Sequence, residues 1–143
     1  IFMVQALLVS HADFCVGLLN SYEMIAGETK KVSTVSLTED GIGDFSKRLK
    51  YQIESILQKD DLLIFCDIKG GTPFNESFDY FLNHPDRIRI IPGMNLPMLI
   101  EVGTQLDMDL GLKDLYEIAL NSGATAIERI EYEEETTEND LEF

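Results

Sequence analysis

Two places in this 143-residue chain combine residue types that could do chemistry. One is His11, which follows the apolar run Met3–Val9. The other is the stretch Phe65-Cys66-Asp67-Ile68-Lys69-Gly70-Gly71-Thr72-Pro73-Phe74-Asn75. A neutral imidazole is a good nucleophile toward phosphorus near pH 7, because it titrates close to that pH. A carboxylate that holds its Nδ1 proton fixes the tautomer, frees Nε2 to attack and stabilises positive charge growing on the ring. Asp67 is the candidate for that role. Gly70, Gly71 and Thr72, ahead of a new amphipathic pattern, offer backbone N–H groups, a positive helix end and a hydroxyl, the donors that phosphoryl oxygens need. Taken singly, each group has a plainer reading: a loop histidine, a capping carboxylate, a simple turn. The expected site is therefore His11 with Asp67, and Gly70, Gly71 and Thr72 as phosphoryl-binding residues.

Other chemistries fit less well. Gly41-Ile42-Gly43 lacks the third glycine of a dinucleotide fingerprint, and Gly70-Gly71-Thr72 lacks the Gly-Lys-Ser/Thr of a nucleotide-binding P-loop. The two histidines and two cysteines form no pairs at ligand spacing, so neither a metal nor another cofactor is expected. His84, beside Pro85, reads as a turn residue, and Lys69 as a solvated one. Cys15 and Cys66 sit in apolar contexts and read as buried free thiols, which suits a reducing cytoplasm.

A net charge of −15 repels nucleic acid and anionic membranes. Eight carboxylates between Glu128 and Phe143, against Arg129 alone, concentrate that charge in a tail of about residues 133–143, expected to be solvated. No apolar run approaches the ~20 residues that cross a bilayer, and no secretory signal is expected.

The elements that must position His11 and Asp67 alternate along the chain. Met3–Val9 suits a strand buried on both faces. Asp13 is expected to cap a helix with Phe14, Leu18, Tyr22 and Ile25 on one face, stopping at Gly27. Lys31–Leu37 reads as a weaker strand near a sheet edge. After a loop over Thr38–Asp44, a second helix carries Phe45, Leu49, Ile53, Ile56 and Leu57 inward. Leu62–Cys66 is the most apolar strand. Pro73 should open a third helix with Phe74, Phe78, Phe81 and Leu82 as its buried face. Arg87–Ile91 is a strand, Asn95–Val102 a helix, and a last helix should end at Gly123. Ala126–Tyr132 could be a final strand. This order implies one α/β domain over 1–143, a doubly wound and mainly parallel sheet with helices on both faces. In such folds ligands bind beyond the carboxyl ends of the strands, where His11 and Asp67–Thr72 both fall.

Three motifs in order carry a resemblance: Leu7-Leu8-Val9-Ser10-His11 with Glu23-Met24-Ile25-Ala26-Gly27; Asp67-x-x-Gly70-Gly71-Thr72-Pro73-Phe74-Asn75; and Pro92-Gly93-Met94-Asn95-Leu96-Pro97-Met98-Leu99. From about Val4 to Ile130 the chain resembles the mannose-type IIA (EIIA) component of the bacterial phosphoenolpyruvate-dependent sugar phosphotransferase system (PTS). The resemblance implies a cytoplasmic phosphotransferase component. His11 would take a phosphoryl group from HPr and pass it to an EIIB partner, serving the membrane EIIC/EIID complex indirectly. It also implies a homodimer that exchanges an antiparallel C-terminal strand, giving Ala126–Tyr132 a role. Two positions depart from the pattern. Ala12 stands where many members have glycine, and Ile68 where some carry a hydroxyl. Two alternatives stay open: a phosphocarrier subunit for a dihydroxyacetone kinase, and a non-catalytic regulatory or anion-binding module. The sugar is not expected to be encoded here, because the membrane components meet it.

Overall fold

The computed structural model describes residues 3–133. Its apolar runs become four strands: β1 (Val4–His11), β2 (Val32–Leu37), β3 (Asp61–Cys66) and β4 (Ile88–Pro92). All pair in parallel, in the order β2-β1-β3-β4. The runs richest in apolar residues, β1 and β3, take the middle, and Leu7, Leu8, Val9 and Leu62 to Cys66 are fully buried. The hydroxyl-rich β2 lies at an edge, as its composition predicts.

Five helices cover the sheet: α1 (Phe14–Ala26), α2 (Ile42–Leu57), α3 (Gly71–Asn83), α4 (Leu96–Gly103) and α5 (Leu112–Thr125). The period of two along each strand divides them between the faces. Ala6, Leu8, Leu63 and Phe65 pack with Cys15 and Tyr22 of α1, Leu99 and Val102 of α4, and Leu115 and Ala119 of α5. Leu7, Val9, Ile64 and Cys66 pack with Phe45, Leu49, Ile53 and Ile56 of α2 and the inner part of α3. The α2 stripe shows why the helix holds. Burying each of its four side chains is worth about 1.5–3 kcal/mol, far more than a 16-residue helix gains from propensity alone. The doubly wound α/β reading is confirmed, and β1 and β3 flank the point where strand order reverses.

Several local expectations are corrected. β1 runs on through His11, which pairs with Leu37 of β2, because the Ser10–Ala12 segment still finds partners there. Asp13 occupies the cap position of α1 but accepts no hydrogen bond through its side chain. α2 starts at Ile42, inside the expected loop. Pro73 is the third residue of α3 and not its first, the glycines having already begun the turn. Gly123 does not end α5. It is buried against α4, where a Cβ would meet Met98 Cε at 2.4 Å. Its carbonyl accepts from Asn95 Nδ2 at 3.1 Å, so close helix packing, and not termination, explains the glycine.

Two further differences fall on one flank. The buried residues of α3 are Pro73 and Ser77, while Phe78 is 36% and Leu82 57% exposed. The sheet stops at β4, so Phe74 and Phe81 still reach the core while Phe78 and Leu82 lie beyond it. Residues 126–133 form neither helix nor strand. A strand needs a neighbour to pair with, and this segment pairs with none of the described residues. The acidic tail beyond Glu133 lies outside the described residues.

Candidate functional site

β1 and β3 deliver the two candidate groups to adjacent positions. Their register pairs Val9 with Cys66, which sets Ser10 level with Asp67 and leaves both strands ending at the sheet's carboxyl edge. His11 Nδ1 lies 2.7 Å from Asp67 Oδ2. The same carboxylate oxygen accepts the His11 backbone N–H at 2.9 Å, while Oδ1 accepts from Ile68 N–H, also at 2.9 Å. Asp67 thus grips residue 11 by backbone and ring together. Its side chain is 13% exposed and that of His11 48%.

The electrostatics follow from this grip. Burial alone would push the Asp67 carboxyl up. The hydrogen bonds from the His11 backbone and ring and from Ile68 N–H, with the charge of the ring, outweigh it and hold Asp67 below its ordinary value. Asp67 is therefore an anion at neutral pH, able to accept the Nδ1 proton. With Nδ1 engaged by Asp67, Nε2 is the ring nitrogen left available as an acceptor or nucleophile, on the side of Gly71.

The glycine turn stands on the other side of the ring. Gly70 and Gly71 have φ of +80° and +76°, conformations that side chains with a Cβ resist. At Gly71 there is a second reason for glycine. A Cβ there would sit 3.1 Å from His11 Cε1 and 3.3 Å from Nε2. Gly71 and Thr72 are the first two residues of α3, so their N–H groups belong to the helix end that favours anions. The structure brings three of the five expected residues together, His11 and Asp67 in direct contact and Gly71 against the imidazole, while Gly70 and Thr72 are the chain neighbours of Gly71 at the start of α3. A group attached at Nε2 would meet the start of α3.

Other features lie apart. The roomiest cleft among those described, about 450 Å³ and lined by Tyr22, Lys31, Gly103 and Asp107, is at the amino ends of the strands. Lys69 borders a groove of about 290 Å³ with Phe74, Phe78, Phe81, Ile90 and Tyr116, beside β4. His84 caps the end of α3. Burial pushes the Cys66 thiol up to about 12, so it is no nucleophile. Among the described residues no cluster of His, Cys, Asp or Glu is placed to hold a metal, and no helix is long and apolar enough to cross a membrane. Sequence reasoning assigned no role to Ser10, whose buried hydroxyl bonds the turn after His11. The available signal was a serine at the end of an otherwise apolar strand.

Residues 5–120 match the family described as PTS system fructose IIA component. The fructose-specific EIIA component of Bacillus subtilis (strain 168) is 32% identical over 114 residues, 79% of this chain and 77% of that protein. The mannose-specific EIIAB component of Escherichia coli (strain K12) is 26% identical over 117 residues, again 79% of this chain but only 35% of the longer protein. Among solved structures, the mannose/sorbose specific IIA subunit of the phosphotransferase system from Enterococcus faecalis superposes with a TM-score of 0.80 at 27% identity, over 94% of this chain and 100% of that one.

Proposed function

Because this chain belongs to the PTS fructose IIA, or mannose-type EIIA, family, we propose that His11 carries a phosphoryl group, received from HPr and passed to an EIIB partner. The observation that carries this reading is the 2.7 Å contact between His11 Nδ1 and Asp67. In the first transfer the Nε2 lone pair of His11 attacks phosphorus in line. A new P–N bond forms as the P–N bond to the donor histidine breaks, and that electron pair returns to the donor ring. Asp67 keeps the Nδ1 proton throughout and stabilises the positive ring of the phosphorylated state. Gly71 and Thr72 N–H groups and the Thr72 hydroxyl receive the phosphoryl oxygens. Transfer to EIIB is the same displacement run outward. Positioning and electrostatics supply the catalysis.

A half-exposed imidazole suits a partner that is itself a protein, since donor and acceptor rings must approach across two surfaces. The names of the relatives place them with sugars, which favours a sugar permease over a dihydroxyacetone kinase. The same alignment of groups would serve an anion-binding module, and mass spectrometry separates the two. Incubation with enzyme I, HPr and phosphoenolpyruvate should add one phosphoryl group to the parent and none to His11→Ala. Full incorporation into that variant would overturn the assignment.

A homodimer is part of this reading. The open edge of β4 and the aromatic groove beside it are unpaired in one chain. Residues 126–133 form neither helix nor strand and present Ile127, Ile130 and Tyr132 at 84%, 86% and 92% exposure. A second copy could add this segment antiparallel to β4, with Lys69 and Arg89 beside the groove facing its carboxylates.

A further inference from the structure

We propose that Ser10 is a positioning residue for His11, acting through the left-handed turn at Ala12 and the first turn of α1; the proposal rests on His11 as the phosphoryl carrier. Ser10 sits where β1 would otherwise place another apolar side chain, in line with Ala6 and Leu8. It is completely buried. A hydroxyl there is costly unless both its roles are filled, and both are. Its Oγ donates to the Ala12 carbonyl at 3.2 Å and accepts the Cys15 backbone N–H at 2.9 Å.

Those two bonds bracket the histidine. Ala12 has φ of +50° and is the only non-glycine residue with positive φ among the described residues. Its N–H donates to Leu37 O at 2.8 Å, and the Ser10 hydroxyl holds its carbonyl from the other side. A residue with a Cβ adopts this conformation only when its surroundings impose it. Cys15 is the second residue of α1, whose cap residue Asp13 gives no side-chain bond. Ser10 supplies that missing acceptor from across the turn, three residues upstream of the cap. One buried hydroxyl therefore ties the end of β1, the turn and the start of α1 into a single unit. His11 is the residue enclosed by it, with its own backbone N–H anchored on Asp67. Without the hydroxyl, Ala12 would relax and the His11 backbone would shift relative to Asp67 and Gly71.

The test compares Ser10→Ala and Ser10→Thr by two independent readouts. One is the rate of phosphorylation by HPr with enzyme I and phosphoenolpyruvate. The other is the nitrogen NMR spectrum of the His11 ring in the unphosphorylated protein, which reports its tautomer without requiring any transfer. Ser10→Ala should lower the maximal rate about tenfold with KM for phospho-HPr little changed, as expected for misplacement at the reacting atom. Its ring spectrum should move from a single Nδ1-protonated tautomer to a mixture. Ser10→Thr, which keeps the hydroxyl, should retain both parental properties. Should Ser10→Ala fail to fold, Ser10→Cys keeps the volume without the strong hydrogen bonds and should show the same two changes. A folded Ala or Cys variant with the parental spectrum and rate overturns the proposal, even if it melts at a lower temperature. A parent that shows the single tautomer but takes no phosphoryl group would sink the carrier reading, while the Ser10 effect on the spectrum would still stand.

Discussion

The carboxyl edge of β1 and β3 and the outer flank of β4 are both places where the fold stops, yet they stop differently. At the first, the groups that position the imidazole are held within the chain. Asp67 accepts three N–H groups, Ser10 bonds twice, and Gly71 packs against the imidazole. At the second, the edge strand β4 lies beside a groove lined by half-buried Phe74 and Phe81 and exposed Phe78. Phe74 and Phe78 stack at 5.5 Å and Phe78 and Phe81 meet at 5.8 Å, with Phe78 the exposed member of the three. The difference separates two kinds of incompleteness. The first region lacks only a reacting group, and its geometry is already set. The second lacks a whole structural element, and only another chain or segment can supply one. Changes at the first should therefore alter chemistry without altering assembly, and changes at the second should do the reverse.

The sharpest way to break this contrast is Asp67→Asn. An amide can still accept the His11 N–H, but it no longer holds the Nδ1 proton with a negative charge. Phosphorylation by HPr should slow by about 10²-fold or more, while sedimentation shows the same association state as the parent. A parental rate would remove Asp67 from the mechanism. A changed association state would show that the two regions are not independent.

The converse prediction concerns residues 126–133. Replacing Ile127, Ile130 and Tyr132 together by Ser should weaken self-association by tenfold or more, since each loses up to ~2 kcal/mol of apolar burial in the assembled state. Each isolated chain should still accept a phosphoryl group. Light scattering against concentration reads the first outcome and mass spectrometry the second. A variant that self-associates as the parent does would sink the strand-exchange proposal.

How much of this could be read from residues alone follows the same division. His11 and Asp67 were legible because a buried strand cannot end in a polar residue without consequence, and alternating elements send all the strand ends to one edge. β2 was legible as an edge from its hydroxyls. The α3 face is legible only in part: Phe74 and Phe81 pack against the core as their spacing predicts, whereas Phe78 and Leu82 are exposed, because spacing does not say how far the sheet extends opposite them. Asp13 takes the cap position its type suits, but the side-chain acceptor comes from Ser10, a residue whose role depends on the left-handed turn. Gly123 looked like a stop because glycine ends helices, but here tertiary packing against Met98 overrides that local preference. In each case the missing information is a contact between segments distant in the chain or across a turn.

A smaller effect is expected at Gly71. In Gly71→Ala the new methyl meets the His11 ring at contacts tighter than ordinary packing, and φ of +76° strains any residue with a Cβ. The ring can yield by a few tenths of an ångström, so the rate should fall by about tenfold and not vanish. Association should be unchanged. Gly70→Ala carries the backbone strain without the contact, because nothing lies within 4 Å of its Cβ position. Comparing the two separates crowding of Nε2 from simple distortion of the turn, and equal losses would assign both to distortion.

The last and smallest effect is on stability against pH. Asp67 is held below its ordinary value in the folded chain, its burial being outweighed by the N–H groups it accepts. A carboxyl lowered on folding contributes stability that is fully present above its unfolded value, about 4, and is lost as pH falls through the folded one. Acid also discharges the other carboxylates of a chain with net charge −15, which relieves repulsion and acts in the opposite sense. The parental curve alone therefore mixes two trends. The difference between parent and Asp67→Asn isolates one of them, because both proteins share every other carboxylate. In urea titrations the parent's advantage over Asp67→Asn should be constant near neutrality and shrink as pH drops below about 4. An advantage that stays constant into acid would mean that the His11 bonds do not favour the charged carboxylate. The contrast between a finished site and an unfinished flank would then lose its electrostatic half.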